Sequence, residues 1–203
     1  MKVLLKGIKG TWREIADAAR TTIHMEEGTK EPSSKWKKSI LLAEHSPIRK
    51  LHIDWKWYGL KSWISVHFTR HKIGIEHYVR TQRTDRTGID RNELKQSQLL
   101  EHECEATAQA MINISRKRLC NQASKETKEA WREVLENIKD KQPELYNVCV
   151  PECIYRNGFC PEMKSCGWNK TKEFEEKLKE YIKDFEQQIN DKTNIVKHEK
   201  IKC

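Results

Sequence analysis

The sequence contains no uninterrupted apolar run of about 18 residues, which excludes a helical membrane span. Its start, MKVLLKGIKGTWREIADAA, carries charge but no apolar stretch of about 7–15 residues, so a signal peptide is not expected and a cytoplasmic location is. Neither a Gly-x-Gly-x-x-Gly turn nor a Walker phosphate loop occurs, so a conventional Rossmann or P-loop fold has no anchor here. Internal repeats and low-complexity tracts are also missing. Apolar content is modest at 36% against 34% charged. That balance implies much exposed helical surface, or a subunit that completes its core by association.

A chain of 203 residues is one ordinary domain, long enough to bury a core. Its 39 basic and 30 acidic residues leave a net charge of +9, which favours anionic partners without choosing between polymer and small molecule. Seven cysteines is an odd number, with four clustered late in the chain. In a reducing compartment that clustering suggests metal binding or plain thiols more than disulfides.

Hydrophobic periodicity predicts an α+β chain, helices with a few strands between them. Residues 1–9 alternate loosely as a strand. Thr11 and Glu14 have capping-box spacing, followed by a helix over 11–24, and a second helix runs from Ser34 to Ala43. LHIDWKWY places Leu51, Ile53, Trp55 and Trp57 on one face of a half-buried strand, ended by Gly59. KSWISVHFTRH reads as a helix, and HYVRTQR as a short strand or extended loop. A long helix is predicted from Glu93 to Cys120, with Leu99, Leu100, Cys104, Ala108, Met111, Ile112 and Leu119 on its apolar side. On it Cys104 and Cys120 read as core thiols, while His52 and His102 have no evident partner. A helix over Lys125–Asp140, a loop rich in cysteine and proline, and a terminal helix follow. The last carries the stripe Phe174, Leu178, Tyr181, Ile182, Phe185 and Ile189.

Two constellations carry chemistry. The first is HFTRHKIGIEHYVRTQRTDRTG, residues 67–88, with Arg70, His71, Lys72, His77, Arg80, Arg83 and Arg86. Guanidinium forks grip phosphate oxygens two at a time, so Arg70, Arg80 and Arg83 suit a phosphate if they converge; a solvated basic edge is the other reading. No groove-reading nucleic-acid motif is present, so a nucleic-acid partner is not expected. The second constellation is Cys149-x3-Cys153-x6-Cys160-x5-Cys166. Four thiolates at this spacing can close a structural tetrahedral zinc site; free buried cysteines or two disulfides are the alternatives.

Several motifs together resemble the flavin-dependent thymidylate synthases (ThyX family). That family's signature is Arg-His-Arg, seven residues, then Ser; here Arg70-His71-Lys72 is followed by seven residues and Arg80. Glu44-His45-Ser46-Pro47 is similar to the family's Gly-His-x-(Ser/Thr)-Pro turn. MINISRKRLCNQA, with Asn113 and Arg118 five apart, resembles its Asn-x4-Arg helix, and His67 stands where the family has a nucleotide-contacting Gln. The resemblance covers roughly residues 1–140. It implies a ThyX-like fold, with a small mixed sheet flanked by helices, a long central helix and a helical C-terminal extension. The implied layout is a catalytic domain over 1–142, a cysteine-rich loop over 143–168, and a helix and tail over 169–203.

The implied activity is reductive methylation of dUMP to dTMP, with methylenetetrahydrofolate and NADPH as co-substrates and FAD as cofactor, in a homotetramer. Carried over residue by residue, Ser46, Arg70, His71, Lys72, Ile73 and Asn113 would hold the flavin. His67, Arg70, Arg80, Arg83 and Arg118 would hold the nucleotide, and Arg70 and Arg118 would act in catalysis. Lys72 and Arg80 depart from the signature, which leaves a related one-carbon modification, such as hydroxymethylation, as an alternative product. A non-enzymatic, zinc-stapled nucleic-acid-binding module is the alternative from another class.

Overall fold

The computed structural model describes residues 1–183, so Phe185 and Ile189 of the terminal stripe lie outside the described residues. Four strands, β1 (Lys2–Lys9), β2 (His52–Lys61), β3 (Ile75–Val79) and β4 (Leu99–Thr107), form one sheet in the order β1-β2-β4-β3. The fold is α+β, and every neighbouring pair is antiparallel, where the resemblance had implied a mixed sheet. Alternation sorts the residues. Ile53, Trp55, Trp57 and Leu60 of β2, with Leu100, His102, Cys104 and Ala106 of β4, are buried on one face. On the other face Glu101, Glu103 and Glu105 each pair at 2.5 Å with Lys56, Lys6 and Lys9. Such exposed pairs add little stability, but they agree with the register that buries the apolar face.

Two expectations about this sheet are corrected. Gly59 does not end β2: its φ of 69° accommodates a bulge between Trp57 and Leu60, and the strand runs on to Lys61. The helix expected from Glu93 to Cys120 is instead β4 followed by a helix over Ala108–Arg118. Glutamate favours helices, and Leu100, Cys104 and Ala108 are four apart, so the segment imitates a helical stripe. Its buried residues recur every second position, and pairing with both β2 and β3 takes precedence.

Among the described residues, helices lie between the strands and after them: α1 (Trp12–Thr21), α2 (Ser34–Leu42), α3 (Ser62–Thr69), α4 (Thr84–Thr87), α5 (Ala108–Arg118), α6 (Lys125–Ile138), α7 (Pro143–Val148) and α8 (Glu152–Tyr155). Further helical turns occupy 172–183. The capping box at α1 is present: Glu14 N–H donates to Thr11 Oγ1 at 3.2 Å and Thr11 N–H to Glu14 Oε2 at 2.6 Å. Helices α3, α5 and α6 cover the buried face of the sheet. There Trp131 of α6 meets Trp55 and Phe68, with centroids 5.8 and 5.9 Å apart, and Trp57 Nε1–H donates to the Ala130 carbonyl at 3.1 Å. The segment expected as a cysteine-rich loop holds α7 and α8 and adds Leu145, Val148 and Cys149 to the same core. Among the described residues no helix is long and apolar enough to cross a membrane.

Candidate active site

Helix α3 ends at Thr69, and the chain turns through 70–74 into β3. This turn lies along α5. At the N-terminal end of α5, Thr107 caps the helix, its Oγ1 accepting from Ala110 N–H at 3.2 Å, and its own N–H donates to the Gly74 carbonyl at 2.8 Å. Gly74 has φ 72°, and a Cβ there would sit 2.7 Å from Thr107 Oγ1, so close approach and backbone sign both call for glycine. At the other end, Arg118 Nε–H donates to His71 Nε2 at 2.8 Å, and its terminal nitrogen donates to the His67 carbonyl at 2.5 Å. His67 Nδ1 is held 3.0 Å from Thr127 Oγ1.

The electrostatics follow from this packing. Burial, the Arg118 charge and neighbouring His77 pull His71 down to about 4, so its imidazole is neutral near pH 7 and accepts from the guanidinium. His67 is lowered by burial and by Arg118 and Arg70. Arg118 is itself lowered by burial and by the charge of Arg70, yet a guanidinium stays cationic at any biological pH. Among the described residues, no carboxylate lies within ion-pair distance of Arg70, Lys72 or Arg118. Three cations without counter-charge, one of them half-buried, make a surface suited to an anion. Beside them the apolar side chain of Ile73 is 87% exposed.

The residues of the second motif gather on α5. Glu44 pairs with Arg116 and accepts from Gln109 Nε2 at 2.5 Å, while Arg116 donates to Asn113 Oδ1 at 3.2 Å. Asn113 and Ser46 are both exposed; Asn113 joins Glu44 through Arg116, and Ser46 follows Glu44 by two positions in the chain. The structure thus brings Arg70, His67, His71 and Arg118 into one group and Asn113, with Arg116 and Glu44, into another along the same helix, with Ser46 two positions beyond Glu44. Arg80 and Arg83 stand apart: Arg80 lies 3.7 Å from Glu101, and Arg83 makes a bidentate pair with Asp85 at 3.0 and 2.8 Å. Arg70, Lys72, Ile73 and Gly74 of the turn are exposed. A cleft of about 480 Å3 bounded by Arg132, Glu136, Tyr146 and Tyr181 contains none of these residues.

The late cysteines do not all meet. Cys153, Cys160 and Cys166 line a small cavity together with Cys120, whereas Cys149 is buried in the core beside Ser115. Cys104 is a buried thiol on β4, not on a helix, and His102, which had no evident partner in the sequence, lies 3.2 Å from it. Sequence reasoning missed Cys120, His77 and His102 as neighbours of other ligating groups. The signal was the alternation of His102, Cys104 and Ala106 with three glutamates, a strand pattern read as a helix.

No family model and no curated protein matches this chain. Solved structures do, among them the flavin-dependent thymidylate synthase ThyX from Helicobacter pylori complexed with FAD and dUMP, and a second structure of Thymidylate Synthase X from that organism with FAD and dUMP. Each is 14% identical at a TM-score of 0.62 and covers 74% of this chain, with 100% and 99% of the neighbour's chain covered. At this identity the likeness shows the fold.

Proposed function

We propose that the chain is a flavin-dependent thymidylate synthase, converting dUMP to dTMP with methylenetetrahydrofolate as carbon donor and NADPH as reductant. The observation that supports this reading best is the half-buried, uncompensated Arg118, held by His71 and His67 where the signature turn meets α5. A fold shared with enzymes solved with FAD and dUMP gives that cationic surface a natural pair of ligands.

The residues suit a flavin dinucleotide on two counts: unpaired cations for its phosphates and an exposed apolar side chain at Ile73 for a flat ring. Ser46, Arg70, His71, Lys72, Ile73 and Asn113 are the residues we assign to it. Reduced FAD, when bound, supplies the hydride. Arg118 and Arg70 grip the nucleotide phosphate or pyrimidine ring, and neutral His71 fixes the orientation of the Arg118 fork. His67, through Thr127, holds the carbonyl that receives the other arm of that fork. Arg80 and Arg83 are assigned to the rim, reaching the nucleotide once released from Glu101 and Asp85.

The turn residues are exposed in the single chain, which supports completion of the site by further copies. Val66, Ile73, Tyr78 and Val79 are exposed apolar residues on α3, the turn and the edge strand β3. A homotetramer in the cytoplasm is the assembly this reading carries.

The test is the nucleotide product. Protein incubated with dUMP, methylenetetrahydrofolate, FAD and NADPH is expected to yield dTMP by mass spectrometry. A hydroxymethylated nucleotide would point to the variant reaction that Lys72 and Arg80 leave open. Unchanged dUMP from flavin-loaded protein contradicts the proposal.

A further inference from the structure

Behind the signature turn, on the buried face of the sheet, three metal-ligating side chains come together. His77 Nδ1 lies 3.0 Å from His102 Nε2, and Cys104 Sγ lies 3.3 Å from the first and 3.2 Å from the second. Strand register produces the cluster. His102 and Cys104 are two apart in β4 and share a face, and His77 of β3 stands directly opposite Cys104. His102 and Cys104 are fully buried, while His77 is half-buried at the edge of the sheet.

The outer nitrogens of both rings are occupied by oxygens. His77 Nε2 lies 2.8 Å from the His71 carbonyl, which can only accept, so this nitrogen bears hydrogen and a neutral ring presents its Nδ1 lone pair inward. His102 Nδ1 lies 3.0 Å from Ser65 Oγ, which leaves Nε2 turned toward the same point. The carbonyl fixes the tautomer of His77, and the Ser65 hydroxyl, able to accept, suits the Nδ1–H tautomer of His102 that a metal at Nε2 requires. A simple hydrogen-bond chain needs two short edges of such a triangle; here all three are short, as for ligands around one centre.

We propose that His77, His102 and Cys104 form a site for one thiophilic d10 metal ion, Zn2+ or Cu+. Imidazole with thiolate is the donor set such ions select. Bonds of about 2.0–2.1 Å to nitrogen and about 2.3 Å to sulfur need tetrahedral edges of roughly 3.3–3.6 Å, so the triangle opens by about 0.3 Å per edge. The ion replaces the Cys104 thiol proton, which leaves to solvent past His77. Cu+ with the thiolate is neutral, whereas Zn2+ keeps one positive charge and takes a water on the His77 side. The ion staples the edge strand β3 to β4. Because the His77 ring N–H holds the His71 carbonyl, it also pins the turn that carries Arg70 to Ile73. None of this depends on which reaction the site above performs.

The test compares the full chain with Cys104→Ser and His77→Gln. Each is stripped by a chelator, reloaded under reducing conditions with Zn2+ or with Cu+, and analysed for metal per chain. The wild type is expected to hold one equivalent more than either variant, with X-ray absorption showing two nitrogen and one sulfur ligands that the variants lose. Its melting temperature should rise on loading, and theirs should not. Binding of either ion in this pattern supports the site and identifies its metal. Equal metal content in all three proteins, or none, overturns it; equal content would place the metal elsewhere, the cysteine-lined cavity by Cys120 being available. Should Cys104→Ser fail to fold, His77→Gln, on the edge strand and half-buried, decides the matter by the same readouts.

Discussion

Arg118 spends its hydrogen bonds on two groups that are not charged, a neutral imidazole and a carbonyl. Its positive charge is therefore available to a ligand and contributes little to folding. Replacing it by alanine should weaken dUMP binding by roughly 10–100-fold, the equivalent of about 1.5–3 kcal/mol for hydrogen bonds to a charged group. Calorimetric titration checks this, with the melting temperature as control. Arg118→Lys should recover only part, since the ammonium lacks the planar fork. Equal losses of binding and stability would make the residue structural. At this scale the sequence was informative where a motif spans a turn and a helix, as with Arg70, His71 and Arg118. It was silent on His102 and Cys104. In a helix, residues two apart point to different sides, and only in a strand do they share a face.

Among the elements, the 70–74 turn and α5 act as one unit, joined at Thr107 and at Arg118. Gly74→Ala tests that unit. A left-handed backbone costs a non-glycine residue about 1–2 kcal/mol, and the new methyl would sit 2.7 Å from the capping hydroxyl of Thr107. The variant should melt lower and bind nucleotide more weakly although no ligand-contacting side chain has changed. Unaltered binding would show that turn and helix are not coupled. Most helices were legible because their apolar stripes and caps are local, as the Thr11/Glu14 box shows. β4 was not, because glutamates on its outer face raise helical propensity while the pairing that overrides it comes from strands distant in sequence. Likewise Cys149 could not be told from its three neighbours in sequence: the fold puts it in the core and brings Cys120 to the others instead.

For the whole molecule, the proposed assembly rests on the exposed turn and on the exposed apolar residues of α3 and β3. β3 is an edge strand of five residues, and its Tyr78 and Val79 are exposed beside the signature turn. Charged side chains on an edge discourage association. Val79→Lys should therefore reduce the assembly mass measured by light scattering and lower flavin affinity together, leaving the circular dichroism of the subunit intact. A loss of mass with full flavin affinity would mean that one chain forms the flavin site alone. Low apolar content and high charge are the features of the sequence that agree with the proposed assembly. The most direct measurement of the central claim is titration of the purified chain with FAD, followed by absorbance. Saturable binding near one FAD per chain, weakened by Arg70→Ala and tightened by dUMP, is the predicted result. Folded, assembled protein that takes up no flavin would contradict it.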